Sequence, residues 1–265
     1  MRSSFSSVNV GGIPFCVTDL HSAVETSIHF AHSQAAYGHP IRLANAYCVA
    51  LAHRDSSYRG VLSGAGLNFP DGTPVGWSMR LIAGISRKDS RPRSVRGPSY
   101  FELALDLGRR VSTRHFLVGS TPETLEILVG EIERRYPGAL IVGSYSPPFA
   151  DVSDEYISDI VNVVGSSAPH MIWLGLGTPK QDFVSAALAQ QVAVPVIGVG
   201  AAFDFVAGTV KEAPRFLHNS GFEWMFRFMT EPRRLWRRYI LGNLKFLYVV
   251  ATGMRDSISE ASRVD

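Results

Sequence analysis

Three glycine-flanked turns and one isolated amide carry the side chains best suited to chemistry. The first turn is Leu174-Gly175-Leu176-Gly177-Thr178-Pro179-Lys180-Gln181. An apolar run that begins at Met171 stops at its two glycines. Thr178, Pro179 and Gln181 then stand where an N-cap, a first helical residue with no N–H to satisfy, and the far member of a capping box belong. The pattern predicts a strand that ends where a helix opens. Gly175 and Gly177 would let a ligand approach the backbone, the first helical N–H groups would carry the positive end of the helix dipole, and Lys180 adds a full charge. Such a turn suits a phosphate or diphosphate; it also suits a strand-to-helix connection built for geometry alone. The second turn, Gly198-Val199-Gly200-Ala201-Ala202-Phe203-Asp204, again sets glycines beside one carboxylate, fit for a sugar hydroxyl or for capping a short helix. The third, Pro70-Asp71-Gly72, bends the backbone around Asp71, which reads first as a helix cap and second as a functional acid. Asn45 ends a predicted strand over residues 41–44. Its amide, donor and acceptor at once, serves equally well for a nucleotide or sugar and for capping the next helix.

Neither Gly-x-Gly pair completes a dinucleotide fingerprint, because Lys180 and Phe203 stand where the third glycine belongs, and no Walker loop occurs in the chain. No Asp-x-Asp pair occurs, so a metal-bridged diphosphate has no support in the sequence. Cys16 and Cys48, the only cysteines, lack metal-site spacing and suit a reduced, intracellular protein. No metal and no cofactor are expected.

The elements that must position these groups alternate. After a short strand and turn over 8–15, helical spacing of Leu20, Val24, Ile28 and Ala31 predicts a helix over 19–36. The strand before Asn45 leads to a helix with Val49, Leu51 and Ala52. Residues 61–70 run into the Asp71 loop, and 77–82 look helical. Residues 87–97 form a basic loop of five Arg or Lys, Arg93 and Arg96 among them, which is either solvated or closes over an anionic substrate. Then strand 115–118, helix 121–136, strand 139–142, helix 153–164, strand 171–174, helix 178–191 and strand 195–199 follow one another. This is the signature of an α/β protein with a Rossmann-like, doubly wound, mostly parallel sheet and a site at the strands' carboxyl ends.

Beyond Pro214 the composition changes. Residues 215–250 carry a net charge of +5, the excess of the chain's overall +3, and interleave Arg227, Arg233, Arg234, Arg237 and Arg238 with many aromatics. Arginine heads on aromatic bodies suit an interfacial helix on an anionic membrane, nucleic acid, or packing on the sheet. The membrane surface is the preferred reading, so residues 1–214 are read as the catalytic domain and 215–265 as a helical, membrane-associating appendage. No apolar stretch is long enough to cross a bilayer and no signal peptide is visible.

With these segments in place, the chain resembles the WecG/TagA/CpsF family of bacterial glycosyltransferases over nearly its whole length. The resemblance rests on Gly12-Ile13-Pro14, Asn45, Pro70-Asp71-Gly72, the turn from Leu174 to Gln181, the turn from Gly198 to Asp204, Val210-Lys211-Glu212-Ala213-Pro214, Gly221-Phe222-Glu223-Trp224, and the run from Glu231-Pro232-Arg233-Arg234 to Tyr239. It implies transfer of a hexose-type sugar (glucose, N-acetylmannosamine or its uronic acid) from a UDP-sugar to a polyprenyl-diphosphate-linked saccharide. Inversion at the anomeric carbon and a location on the cytoplasmic membrane face are implied with it. Asp71 matches the family's candidate general base. Asn45, Gln181 and Asp204 match positions expected to hold the donor, with Gly177, Gly200 and Phe203 beside them, while Lys180 is expected to stabilise the departing diphosphate. The C-terminal arginines are assigned to the lipid diphosphate and the membrane. Two departures stand out: Leu43 occupies a place where the family commonly has Thr, and Ser94 precedes Val95 where an arginine is usual, leaving open which of the nearest arginines, Arg93 and Arg96, serves, if either does.

Two readings of other classes compete, an NAD-dependent oxidoreductase on the two Gly-x-Gly turns and a non-catalytic membrane-binding module on the C-terminus. Either a monomer or a homo-oligomer is compatible with the sequence, and nucleic acid is not an expected partner.

Overall fold

In the computed structural model, residues 5–34, 36–84, 92–217, 220, 222–230, 233 and 242–261 are described. A hairpin opens the chain: β1 (Ser7–Val10) pairs antiparallel with β2 (Ile13–Cys16). Gly11 and Gly12 between them hold positive φ, a conformation side chains resist. Next come α1 (Leu20–Ala31), β3 (His39–Ala44), α2 (Ala46–Ala52), α3 (Ser56–Ser63), β4 (Leu67–Pro70), α4 (Thr73–Ala83) and α5 (Gly97–Gly108). The regular middle follows as β5 (Arg114–Gly119), α6 (Pro122–Arg135), β6 (Leu140–Tyr145), α7 (Asp154–Gly165), β7 (Met171–Gly175), α8 (Lys180–Leu188), β8 (Pro195–Gly198) and α9 (Ala202–Ala207). Among the described residues α10 (Glu223–Thr230) and α11 (Gly242–Ala261) complete the chain.

Helix α1 stops at Ala31, short of the expected residue 36. Both the backbone N–H and the hydroxyl of Ser33 bond the Phe30 carbonyl and close its last turn. Helices α3 and α5 were not expected. Asp55 caps α3 by accepting the Tyr58 N–H at 3.0 Å, while α5 starts from Gly97-Pro98, at the last residue of the basic loop, without any side-chain cap.

Six strands form one parallel sheet in the order β4-β3-β8-β7-β5-β6. Helices cover both faces, so strand residues alternate between two cores rather than between core and water. Met171 and Trp173 face one core with Ile41, Leu43, Leu117 and Ile197, against α1, α5, α6 and α9. Ile172 and Leu174 face the other with Phe116, Val118 and Val196, against α7 and α8. A third core joins the hairpin, α2, α3 and α4 to α11, which buries Phe246, Val249 and Val250 there. The approach is close: a Cβ on Gly11 would come within 2.5 Å of Val249 Cγ1.

The register brings the polar turns together. Ala44 is paired with Pro70, so Asn45 and Asp71 leave the sheet side by side, and Gly198 is paired with both Arg42 and Leu174, which puts the two glycine turns at the same edge.

Candidate active site

A cavity of about 700 Å³ opens at the carboxyl edge of β4, β3, β8 and β7. Asn45, Asp71, Gly177, Gln181, Gly200 and Asp204 all line it, each brought there by the end of a strand, the turn that follows or the first turn of the next helix.

Asn45 caps α2, its Oδ1 accepting the N–H groups of Tyr47 at 3.0 Å and Cys48 at 3.3 Å. That use occupies the carbonyl oxygen and leaves the amide donors out of the cap. Asp71 is not a helix cap. Gly72 takes the N-cap position of α4 at φ +80°, and no side chain caps that helix. Asp71 is instead held by its backbone, its N–H donating to the Ala44 carbonyl at 2.9 Å. The loop over 92–96 is tied to the same turn: the Gly72 N–H donates to Ser94 Oγ at 2.9 Å, and the Val95 N–H to the Pro70 carbonyl at 2.7 Å. Ser94, which stands where an arginine was expected, therefore fixes the backbone beside Asp71.

Gln181 is nearly sealed, 4% exposed, and its Oε1 has no hydrogen-bond partner. The Gly198-x-Gly200 pair makes room for it: a Cβ on Gly198 would lie 3.0 Å from Gln181 Nε2, and one on Gly200 3.4 Å from Oε1. The glycines of the second turn thus serve a side chain of the first. Behind Gln181, the Tyr58 hydroxyl donates to Asp182 Oδ2 at 2.6 Å, and burial pushes the Asp182 carboxyl up to about 6 against the opposing pull of Tyr58 and Arg42. This pair anchors the start of α8.

The first turn departs from its expected detail. Thr178 does not cap α8 and no capping box forms; the peptide bond between Thr178 and Pro179 is cis, Pro179 occupies the N-cap position, and the helix opens at Lys180. The N–H groups of Gln181 and Asp182 are used by the carbonyls of Gly177 and Pro179, both at 2.9 Å, so they do not point at a ligand. Lys180 is absent from the cavity wall. Its ammonium donates to the Ala150 carbonyl and lies 4.2 Å from the Tyr156 ring centroid, on the side facing α7. Phe203 is fully buried and also off the wall. Its ring packs on Phe101 and over Gly175, where a Cβ would come within 2.5 Å of it.

Of the basic loop, Arg93 is exposed and contributes its backbone N–H to the Thr18 carbonyl at 3.0 Å. Arg96 is 5% exposed and bound between Glu212 at 2.7 Å and Glu223 at 2.8 Å, so it joins the loop to α10 instead of facing the cavity. Arg227 lies on α10 and Arg233 is exposed; Arg234, Arg237 and Arg238 lie outside the described residues. Sequence reasoning missed two cations that do line the cavity, Arg54 and Lys245. Arg54 sits in the turn just past the end of α2, the helix that Asn45 opens, and its place close behind Asn45 in sequence was the available signal. Among the described residues no group of three or more His, Cys, Asp or Glu is arranged to hold a metal ion, and no helix is long and apolar enough to cross a membrane.

Comparison with known proteins bears on this site. The model of the glycosyl transferase WecG/TagA/CpsF family matches residues 8–259. The chain is 32% identical over 196 residues to the N-acetylglucosaminyldiphosphoundecaprenol N-acetyl-beta-D-mannosaminyltransferase of Bacillus spizizenii strain W23, covering 71% of this chain and 70% of that one. Proteins of the same name are similar in Bacillus subtilis strain 168, 27% identical over 87% of this chain and 86% of that one, and in Staphylococcus aureus strain NCTC 8325, 26% identical over 96% of each.

Proposed function

The chain belongs to the WecG/TagA/CpsF family and is a glycosyltransferase; on that footing we propose that it transfers an N-acetylhexosamine, N-acetylmannosamine first, from a UDP-sugar to an N-acetylglucosaminyl diphosphate polyprenol. The names of its relatives support the transferred sugar and the acceptor. The observation that carries the reading is the convergence of Asn45, Asp71, Gln181 and Asp204, from four distant stretches of sequence, on one cavity at the carboxyl edge of the sheet.

In this reading Asp71 is the general base. It takes the proton of the acceptor hydroxyl as that oxygen forms its bond to the anomeric carbon from the face opposite the diphosphate; the carbon–oxygen bond to UDP breaks with its electron pair, and the configuration inverts. Asn45, Gln181 and Asp204 hold the donor. The unpartnered Gln181 oxygen favours a ligand with a donor group, such as a sugar hydroxyl or an amide N–H. Leu43 gives the pocket an apolar wall where a hydroxyl was expected, and so shapes the choice among UDP-sugars. We assign no resident cofactor.

The membrane contact is assigned to the α10 region of the 215–265 appendage, on the cytoplasmic face. Its exposed Phe222, Trp224, Met225 and Met229 would enter the headgroup boundary, while α11 is committed to the core through Phe246, Val249 and Val250.

The test is sugar transfer by the full chain from UDP-N-acetylmannosamine, UDP-N-acetylglucosamine and UDP-glucose to lipid-linked N-acetylglucosamine. Transfer fastest from the first is expected. Transfer from none of them, by protein that binds lipid vesicles, would overturn the reading. Vesicle flotation of a Met225→Ser/Met229→Ser variant tests the membrane assignment, with weaker flotation expected.

A further inference from the structure

The cavity does not end at the strand edge. It continues along α2, where Tyr47, Ala50 and Leu51 line it at the i, i+3, i+4 spacing of a single helix face, with Arg54 in the turn that follows, its N–H bonded to the Leu51 carbonyl at 2.9 Å. The opposite wall is α11, whose Gly242 and Lys245, one turn apart, also line it. A Cβ on Gly242 would sit 3.4 Å from the Tyr47 ring, and the rings of His53 and Tyr248 lie 6.2 Å apart. The two helices therefore run alongside each other in the same direction, with Lys245 between those two marks and Arg54 just past the end of α2. Helix α2 is about 10 Å long, so this cationic stretch lies farther out than the Asn45 and Asp71 end.

Charge is distributed unevenly along the groove. Carboxylates, Asp71 and Asp204, stand at the strand edge, and cations, Arg54 and Lys245, line the outer part. Elsewhere arginines lean on carboxylates: Arg96 on Glu212 and Glu223, Arg109 and Arg110 on Asp106, Arg134 on Glu131. Neither Arg54 nor Lys245 is in an ion pair among the described residues. Two like charges facing one groove repel each other, and a dianion between them turns that repulsion into charge-assisted hydrogen bonds.

We infer that Arg54 and Lys245 form a diphosphate subsite in the α2–α11 groove, gripping the two phosphate groups while the attached sugar lies at the strand edge. The inference rests on the glycosyltransferase reading above, in which donor and acceptor each carry a diphosphate. The chemistry of the subsite is the same for both sources.

The experiment uses the full chain with Arg54→Gln, Lys245→Gln and both together, alongside the charge-keeping pair Arg54→Lys and Lys245→Arg. Arg54 is exposed and Lys245 half-buried, so these variants keep the core intact, and an unchanged Tm checks it. UDP binding is measured by calorimetry at fixed salt. KM is measured for a polyprenyl-diphosphate N-acetylglucosamine and for an alkyl glycoside of N-acetylglucosamine that lacks the diphosphate. The double Gln variant is expected to lose roughly 10- to 100-fold in one of these quantities, with the charge-keeping variants much closer to wild type. A raised Kd for UDP assigns the subsite to the donor. A raised KM for the lipid diphosphate alone, with the alkyl glycoside used as before, assigns it to the acceptor. Wild-type values throughout, or an equal loss in the charge-keeping variants, overturns the subsite while leaving the transferase reading intact. A wild-type protein that neither binds UDP nor transfers sugar overturns both.

Discussion

The two ends of the sheet each bury polar side chains, and they treat them differently. At the amino end, the buried His115 accepts the Trp173 indole N–H on Nδ1 at 3.0 Å, the half-buried His170 accepts the Arg114 backbone N–H on Nδ1 at 3.2 Å, and the buried Thr113 hydroxyl meets Nε2 of the exposed His32 at 3.0 Å. Burial pushes His115 down to about 3, so its ring is neutral. One atom is left over, His115 Nε2, and it is walled in: a Cβ on Gly108 would lie 3.0 Å from it. At the carboxyl end the Tyr156 hydroxyl and Gln181 Oε1 are among the atoms left over, and it is beside Gln181 that the cavity lies. An unpaired buried polar atom points to a ligand only where there is room for one. The amino end reads as structure and the carboxyl end as a site.

Substitutions should therefore separate activity from stability according to the end they touch. The largest effect is expected for Asp71→Asn. Losing the general base should cost turnover about 10²- to 10⁴-fold while Tm and UDP binding stay near wild type; a parallel loss of UDP binding would mean that Asp71 holds the donor instead. Next comes Trp173→Phe at the other end, which leaves His115 Nδ1 buried without its donor. A loss of about 1–3 kcal/mol in denaturant unfolding is expected, with KM for both substrates unchanged. A change in KM without loss of stability would erase the distinction between the ends.

Much of this division was legible in the sequence. The alternation of strand and helix, the parallel sheet, and the gathering of Asn45, Gln181 and Asp204 at strand ends follow from apolar period and turn chemistry, because a parallel sheet delivers every strand-to-helix turn to one edge; the short strand β4 that brings Asp71 to the same edge carries no such signal. What was not legible depended on direction. Lys180 sits in the expected turn, but a side chain at the first position of α8 faces α7, where the Ala150 carbonyl and the Tyr156 ring hold it. Phe203 belongs to a glycine turn and yet fills the space that Gly175 vacates. Arg96 looked like a free loop cation, and its partners Glu212 and Glu223 are more than a hundred residues away. Lys245 was counted only as charge, because no local pattern says that α11 lies against α2. Contacts between sequence-distant elements decide such cases, and no single-sequence period encodes them.

A smaller effect sharpens the comparison at its decisive atom. Gln181→Ala removes an oxygen that has no protein partner, so little stability should be lost with that bond. The donor KM should rise about tenfold, the worth of one hydrogen bond of roughly 1–1.5 kcal/mol, with kcat much less changed. Steady-state kinetics and a melting curve on one preparation check both halves. If Tm falls by several degrees and KM holds, Gln181 is a packing residue and the carboxyl end loses its distinguishing mark.

The smallest expected effect is a slope with pH, and it couples the two ends through opposite signs. His115 is lowered from 6.5 to about 3 by burial, so the unfolded chain binds its proton more readily; the stability tied to the neutral ring is fully present above pH 6.5 and is lost as pH falls toward 3. Asp182 is raised from 3.8 to about 6, again by burial first, so here the folded chain binds the proton more readily; the stability tied to the protonated carboxyl is present below 3.8 and is lost as pH rises through 6. Between pH 5 and 6 each contributes about 1 kcal/mol, with opposite signs, and the wild type should show little net slope from this pair. Asp182→Asn should leave the His115 contribution exposed, so that stability rises with pH across that interval. His115→Asn should leave the Asp182 contribution, so that stability falls. Denaturant midpoints at pH 5 and pH 6 for the three proteins decide it: slopes of the same sign in both variants would mean that one of these groups is not buried in the charge state assigned to it.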